Sequence, residues 1–384
     1  MSSTNSFING KASEEDRKWM QRALSLARLS EGCTRPNPPV GAVVVKNGVE
    51  IGSGRHLKAG GPHAEVNAFD SCRESAAGST LYVTLEPCST TGRTPPCTDR
   101  ILREGVSRVV VGCIDHNSRH CGNGIELLRQ HDVEVVTGVC EADALKLVEP
   151  FFKHISSGMP FVTLKLGMTL DGRIADRHGT SQWITGEPAR RQVQQLRRRA
   201  DAVMVGSGTV LADNPSLLCR IGGGDNLLRV AVDSRAKTAK QWCRWKIFTD
   251  QAAGSTIVAT DENRVADFSA AQANGVRVWG FKLGPDGHLP LTDLLRRLGA
   301  ETNVMHLLCE GGGGLAGALH HNGLVDEYRL FQAPAILNDV RAVAAFSFGE
   351  HLLADMRRLK IVKVQRVGSD LLTVLRPDGG LSEN

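Results

Sequence analysis

Apolar residues recur at two different periods along this 384-residue chain, and the switches between them mark out its elements. Trp19, Met20, Ala23, Leu24 and Ala27 keep the three-to-four spacing of one helix face, and Ser13 stands ahead of them as an N-cap. Val40 to Val45 and Val49 to Gly52 flank Asn47-Gly48, a dipeptide that accepts positive φ at both turn positions, so the segment predicts a hairpin. Thr80 to Leu85 is short, β-branched and aromatic, and predicts a strand. Further strands are expected at Arg108 to Gly112 and Val133 to Thr137, with a helix near Ile125 to Gln130 between them. These elements make an α/β sandwich around a mixed sheet. The pattern breaks around Phe151 to Gly158, and Pro160 opens a new strand from Phe161 to Leu166. We therefore place one domain at 13–157 and a second at 158–384. Residues 1–12 are Ser/Asn-rich with little to bury, and are expected to be disordered. In the second half, Val304 to Cys309 predicts a strand that runs into Glu310-Gly-Gly-Gly-Gly314 and then a helix from Leu315 to His321.

Composition narrows the function classes. A hydrophobic fraction of 41% with 23% charged residues is ordinary for a globular chain, and the longest apolar runs are strand-sized, so no membrane span is expected. The net charge of +5 is mild and the basic residues are dispersed, which favours small anionic ligands over nucleic acid. No secretory signal is visible and eight of the ten cysteines are scattered, so the chain is read as cytoplasmic with reduced thiols.

The informative residues are His63-Ala64-Glu65, Pro87-Cys88 and Cys97. His63, Cys88 and Cys97 offer one nitrogen and two thiolates for Zn2+, and Glu65 beside them is a carboxylate free to act as an acid or base. Three protein ligands leave a position for water, whereas a structural zinc site normally closes with four. A His-x-Glu followed by Pro-Cys and a second Cys is the pattern of zinc-dependent nucleobase deaminases. Here eight residues, rather than two, separate the cysteines. The glycine run after Cys309 is a candidate phosphate cradle beside a helix amino end. Its formal G-x-G-x-x-G match at Gly312, Gly314 and Gly317 does not make a Rossmann domain, because too little chain follows for two βαβαβ halves. A Walker loop is excluded because no Gly-Lys-Ser/Thr is present.

From Thr84 to Cys97 the chain reads Thr-Leu-Glu-Pro-Cys-Ser-Thr-Thr-Gly-Arg-Thr-Pro-Pro-Cys, preceded by Arg35-Pro-Asn-Pro-Pro-Val-Gly41. With these segments it resembles the bacterial bifunctional riboflavin-biosynthesis proteins, which join a diaminohydroxyphosphoribosylaminopyrimidine deaminase to a 5-amino-6-(5-phosphoribosylamino)uracil reductase. Val162 to Ala175, Ser181 to Thr185 and Val205 to Pro215 look like the reductase half, so the resemblance covers nearly the full chain. It implies a cytidine-deaminase-like α/β/α sandwich followed by a dihydrofolate-reductase-like α/β domain, with Zn2+ and NADPH as cofactors. It also implies a pyrimidine ribosyl phosphate substrate and self-association into homo-oligomers.

Residue by residue, the resemblance places Asn37 and His56 against the pyrimidine and Arg93 on a phosphate. It assigns Gly167, Trp183, Thr209, Asp213, Ser234, Gly312, Gly313, Gly314 and Gly317 to NADPH. Ser181, Arg197, Leu217, Arg220 and Glu310 fall at positions that hold the ribosyl phosphate, and Lys165 and Asp213 are candidates to polarise the substrate or position a proton. Of the Arg197-Arg198-Arg199 run, only Arg197 is expected to point inward, since charge runs on helices usually face solvent. The chain departs from the family at Thr90-Thr91, where aromatic or imidazole residues are usual, at Gly313-Gly314 in place of Pro-Thr, and at Leu337-Asn338-Asp339 in place of Leu-Gly-Gly. Two rival readings stay open at this point. One is a deaminase of another base or nucleoside with a non-catalytic second half; the other is a zinc-stabilised binding protein that has lost catalysis.

Overall fold

Ser13 closes the first helix as expected. Its hydroxyl accepts from the Asp16 N–H at 3.0 Å while the Asp16 carboxylate accepts from the Ser13 N–H at 2.9 Å, a capping box that satisfies two otherwise free donors. The computed structural model describes residues 12–92, 95–117, 121–222 and 227–378. Most of the expected disordered start therefore lies outside the described residues. The chain forms two units, the first ending at Gly158 and the second beginning at Met159.

In the first unit, helix α1 (Glu14–Arg28) leads into strands β1 (Gly41–Lys46) and β2 (Val49–Arg55), joined by Asn47 and Gly48 at φ 51° and 74°. Helix α2 (Ala64–Asp70), β3 (Thr80–Leu85), α3 (Cys97–Arg103), β4 (Arg108–Cys113), α4 (Asn123–Gln130), β5 (Glu134–Thr137) and α5 (Glu141–Ser157) follow. The sheet order is β2-β1-β3-β4-β5. Strand β1 is antiparallel to both neighbours, and β3, β4 and β5 run parallel. Leu81, Val83, Val109 and Val111 pack from the sheet against Ala64 and Ala68 of α2 and Ile125 and Leu128 of α4. Gly41 lets β1 approach α1 closely, because a Cβ there would overlap the Ala23 carbonyl oxygen.

One expectation fails here. The periodicity loss at Phe151 to Gly158 is not a break, because α5 continues through Pro150 to Ser157 and ends at Gly158 in the left-handed conformation. Ala144, Leu147, Val148, Phe151 and Phe152 keep helical spacing on its buried face, but Pro150 argues against a helix interior.

The second unit begins with β6 (Phe161–Met168), β7 (Arg173–Ala175), α6 (Glu187–Arg199), β8 (Ala202–Gly206) and α7 (Ser207–Asp213). Then come β9 (Leu228–Val232), α8 (Lys246–Thr249), β10 (Thr256–Asp261), α9 (Ser269–Ala273), β11 (Arg277–Phe281), α10 (Leu291–Thr302), β12 (His306–Cys309) and α11 (Gly313–His321). Strands β13 (Glu327–Gln332), β14 (Val343–Ala344), β15 (Leu359–Val367) and β16 (Asp370–Pro377) complete it. Nine strands form one sheet in the order β11-β10-β9-β8-β12-β6-β13-β16-β15. It is parallel from β11 to β13 and antiparallel over the last two pairs. Alternate residues serve opposite faces: Ala202 and Met204 of β8 join one apolar cluster, Val203 and Val205 the other. Both faces of the parallel part are therefore covered, as such sheets require. The fold is of the α/β class that the sequence leads one to expect, with a mixed sheet in each unit.

Candidate functional site

His63 is the N-cap of α2, Cys88 follows β3 by three residues, and Cys97 is the first residue of α3. Two helix starts and a strand end thus converge. The three ligand atoms lie within 4.8 Å of one another. His63 Nδ1 is 3.2 Å from Cys97 Sγ and 3.5 Å from Cys88 Sγ, and the Cys97 N–H donates to Cys88 Sγ at 3.4 Å. Hydrogen bonding from the Cys97 thiol, helped by His63, lowers the Cys88 thiol, and that same bond together with burial pushes the Cys97 thiol up. The site is therefore poised to give up a first thiol proton. One imidazole and two thiolates within bonding reach of one point form a donor set that fits zinc.

Glu65 sits in the first turn of α2, buried. Loss of hydration, reinforced by charge on Cys88, raises its carboxyl to about 7. His56 is buried too; its Nε2 lies 3.0 Å from Asn37 Nδ2 and its Nδ1 3.0 Å from the Pro62 carbonyl oxygen. Burial lowers the His56 pKa, so the ring stays neutral and can orient Asn37. A cavity of about 250 Å3 brings together Asn37, His56, His63, Glu65 and Cys88, while Cys97 lies behind the wall. Arg93, assigned to a phosphate by resemblance, lies outside the described residues.

Two features of this cavity escaped the sequence reading. Asp115 and Asn117, past the end of β4, also line it. Glu86 supports them: its carboxylate accepts from the N–H groups of Asp115 (3.2 Å), Gly122 (2.9 Å) and Gly124 (3.0 Å). The carboxyl ends of parallel strands are where open α/β sheets build sites, and that rule was the available signal for Asp115 and Asn117. Glu86 had none beyond its place before Pro87.

A second cavity, of about 930 Å3, lies in the second unit. Lys165, Gly167, Ser181, Trp183, Arg197, Thr209, Asp213, Leu217, Arg220, Ser234, Glu310 and Gly312 to Gly314 all line it. Arg197 points inward, and its Nε and Nη2 donate to Glu310 Oε1 and Oε2 at 2.5 and 2.9 Å. Beside this pair is Lys165, whose pKa is lowered by burial against the opposing pull of Glu310. Ser181 Oγ donates to Asp213 Oδ1 at 2.6 Å. Trp183 is 68% exposed and stands at the cavity with the Arg190 guanidinium 4.3 Å from its ring centroid. Arg190, which also donates to the Thr185 carbonyl at 2.8 Å, was not anticipated.

The glycine run needs a correction. Gly317 does not line the cavity, because it lies within α11 under Phe348, whose Cβ a side chain there would meet at 2.7 Å. A Cβ on Gly313 would likewise overlap the Ala344 carbonyl oxygen. These two glycines admit the segment from Ala344 to Phe348 against the helix, a packing requirement that a phosphate motif does not predict. A Cβ on Gly312, whose φ is 61°, would press on Thr209 Oγ1 at 3.2 Å; Gly314 has room for one, and no side chain caps the amino end of α11.

Comparison with known proteins bears on both cavities. Residues 13–113 match the cytidine and deoxycytidylate deaminase zinc-binding region, and residues 160–373 match the RibD C-terminal domain. The riboflavin biosynthesis protein RibD of Aquifex aeolicus (strain VF5) is 39% identical over 360 residues, covering 94% of this chain and 98% of its own. That of Escherichia coli (strain K12) is 38% identical over 375 residues, covering 93% and 98%. Among solved structures, Acinetobacter baumannii RibD aligns with a TM-score of 0.82 at 36% identity over 95% of this chain and 99% of that one. A diaminohydroxyphosphoribosylaminopyrimidine deaminase/5-amino-6-(5-phosphoribosylamino)uracil reductase from Thermotoga maritima aligns with a TM-score of 0.83 at 37% identity, over 94% and 99%.

Proposed function

The chain belongs to the RibD family, bifunctional deaminase–reductases of riboflavin biosynthesis, and from that premise we propose which residues carry each step and on what substrate. The amino-terminal domain hydrolytically deaminates 2,5-diamino-6-ribosylamino-4(3H)-pyrimidinone 5′-phosphate. The carboxy-terminal domain then reduces the ribosyl side chain to ribityl with NADPH. The observation that carries the first assignment is that His63, Cys88 and Cys97 cluster within 4.8 Å of one another while His63, Cys88 and buried Glu65 face one cavity. Zinc in that donor set supplies a Lewis acid that brings the pKa of a water towards neutrality. Glu65 takes a proton from the attacking water and hands it to the departing ammonia, a shuttle for which a carboxyl near 7 is well matched. Asn37, fixed by His56, hydrogen-bonds the pyrimidine edge.

For the reductase, a cavity of about 930 Å3 has room for a dinucleotide and a sugar phosphate together. The amino end of α11 at Gly312 to Gly314, which no side chain caps, suits the cofactor's phosphates, and Gly167, Trp183, Thr209 and Ser234 border the same space. NADPH supplies the hydride. Lys165 and Asp213 orient the ribosyl C1′ and hold a proton for its nitrogen. Ser181, Leu217, Arg220 and the Arg197–Glu310 pair shape the wall around the sugar phosphate. We also assign the exposed edge strand β15 to contact with a second copy.

Glu65→Gln tests the shuttle. The variant should keep its zinc and its reductase turnover while deamination falls by about 10³-fold or more; near-normal deamination with zinc bound would remove Glu65 from the role.

A further inference from the structure

Arg229, the second residue of β9, is fully buried among the apolar residues of the second unit. Its Nη1 and Nη2 hold Asp250 Oδ2 and Oδ1 at 2.6 and 2.8 Å, and Nη2 also donates to the Ile247 carbonyl at 2.9 Å. Core packing alone does not call for such a pair, because desolvation costs about as much as the attraction returns and apolar replacements are often neutral or better. Its remaining contact goes elsewhere. Nη1 donates at 2.9 Å to the carbonyl of Ser216, which lies on the wall of the larger cavity.

That stretch of wall does not hold itself. Asn214 and Leu217 both have positive φ, 42° and 56°, a region that non-glycine residues occupy at a cost. Besides the Ser181–Asp213 and Arg220–Gln194 hydrogen bonds at its ends, the stretch is tied down at three points. Asn214 Oδ1 accepts from the Lys246 N–H at 2.7 Å and its Nδ2 donates to the Arg244 carbonyl at 3.0 Å. From the cavity side, Arg197 Nη1 donates to the Leu218 carbonyl at 3.0 Å. From behind, Arg229 takes Ser216. The loop is thus clamped between two arginines, each fixed by its own carboxylate, Glu310 on one side and Asp250 on the other.

We propose that Arg229, held by Asp250, is a positioning residue of the reductase: it sets Ser216 and Leu217 against the ribosyl phosphate without touching that substrate. The proposal rests on the reading above that Leu217 and Arg220 shape the wall around the sugar phosphate. Arg229→Lys keeps a charge beside Asp250 but lacks the planar fork that reaches both carbonyls. In the full-length enzyme it should raise the reductase KM for the ribosyl phosphate about tenfold, leaving the KM for NADPH and the deaminase turnover unchanged. The double variant Arg229→Met/Asp250→Leu removes both charges and should fold and show the same selective KM rise.

Arg220→Ala separates the two ideas. If Arg220→Ala leaves the substrate KM unchanged, the loop is not the substrate wall and the underlying reading fails. If Arg220→Ala raises that KM while folded Arg229→Lys and the double variant do not, the positioning role is wrong. Failure of both Arg229 variants to fold would make the pair a structural element only, and would overturn the proposal as well.

Discussion

Asp16 caps α1 and, with the same carboxylate, binds Arg108 of β4 at 2.6 and 3.1 Å and accepts from Tyr82 of β3 at 3.1 Å. Burial alone would raise this carboxyl, but the hydrogen bonds from Arg108 and Ser13 outweigh it and hold it at about 2. Because the folded value is depressed, the stabilisation is complete above the unfolded value of 3.8 and is lost as pH falls through about 2. Asp16→Asn should therefore destabilise the amino-terminal domain by about 2 kcal/mol at pH 7 and by much less near pH 2, as denaturant unfolding at the two pH values would show. Only its partner Ser13 is legible in the sequence, as the N-cap. The Ser13–Asp16 cap is a local pattern, whereas Arg108 is 92 positions away and left no sign in the sequence. The zinc donors stood out for the opposite reason: Glu65 two after His63, and Pro87 before Cys88, are spacings that chemistry constrains. Glu86 went unseen because its partners are backbone N–H groups, which look alike at every position.

At the scale of elements, strands and turns with strong alternation were readable, and Thr80–Leu85 has the bounds its sequence suggests. The end of α5 was not, because Pro150 argues against a helix interior even though Ala144, Leu147, Val148, Phe151 and Phe152 keep the helical period. The Ala344–Phe348 cover on α11 also had no signal, because nothing local distinguishes a glycine that admits a neighbouring segment from one that admits a phosphate. The loop after β4 depends on Glu86, which fastens Asp115, Gly122 and Gly124. Glu86→Ala leaves three buried N–H groups without their acceptor, at about 1–3 kcal/mol each if unreplaced. We expect deamination to fall about 10- to 100-fold with zinc content intact and reduction unaffected. Equal loss of both activities would point to general unfolding instead.

At the scale of the whole molecule, β15 forms one edge of the nine-stranded sheet and is exposed along nearly all its length, with Ile361 66% and Val364 55% accessible. The unpaired N–H and C=O groups of an edge strand are a template for pairing with another chain, and exposed Ile361, Val362 and Val364 add apolar surface between its Lys and Arg residues. Sedimentation equilibrium should find a dimer or larger assembly, and Ile361→Lys/Val364→Lys should shift it towards monomer; a wild-type chain that stays monomeric at micromolar concentration would contradict the assignment of β15 to a second copy. The pairing of two chemistries in one chain is tested most directly by mass spectrometry of the diaminopyrimidinone ribosyl phosphate incubated with the zinc-loaded protein, first alone and then with NADPH. A mass change of one amino group exchanged for a hydroxyl, a gain of about one mass unit, without cofactor, followed by a gain of two hydrogens once NADPH is added, is the predicted result. Deamination that NADPH leaves unchanged would contradict the reductase assignment, and no turnover by folded, zinc-bound protein would contradict both.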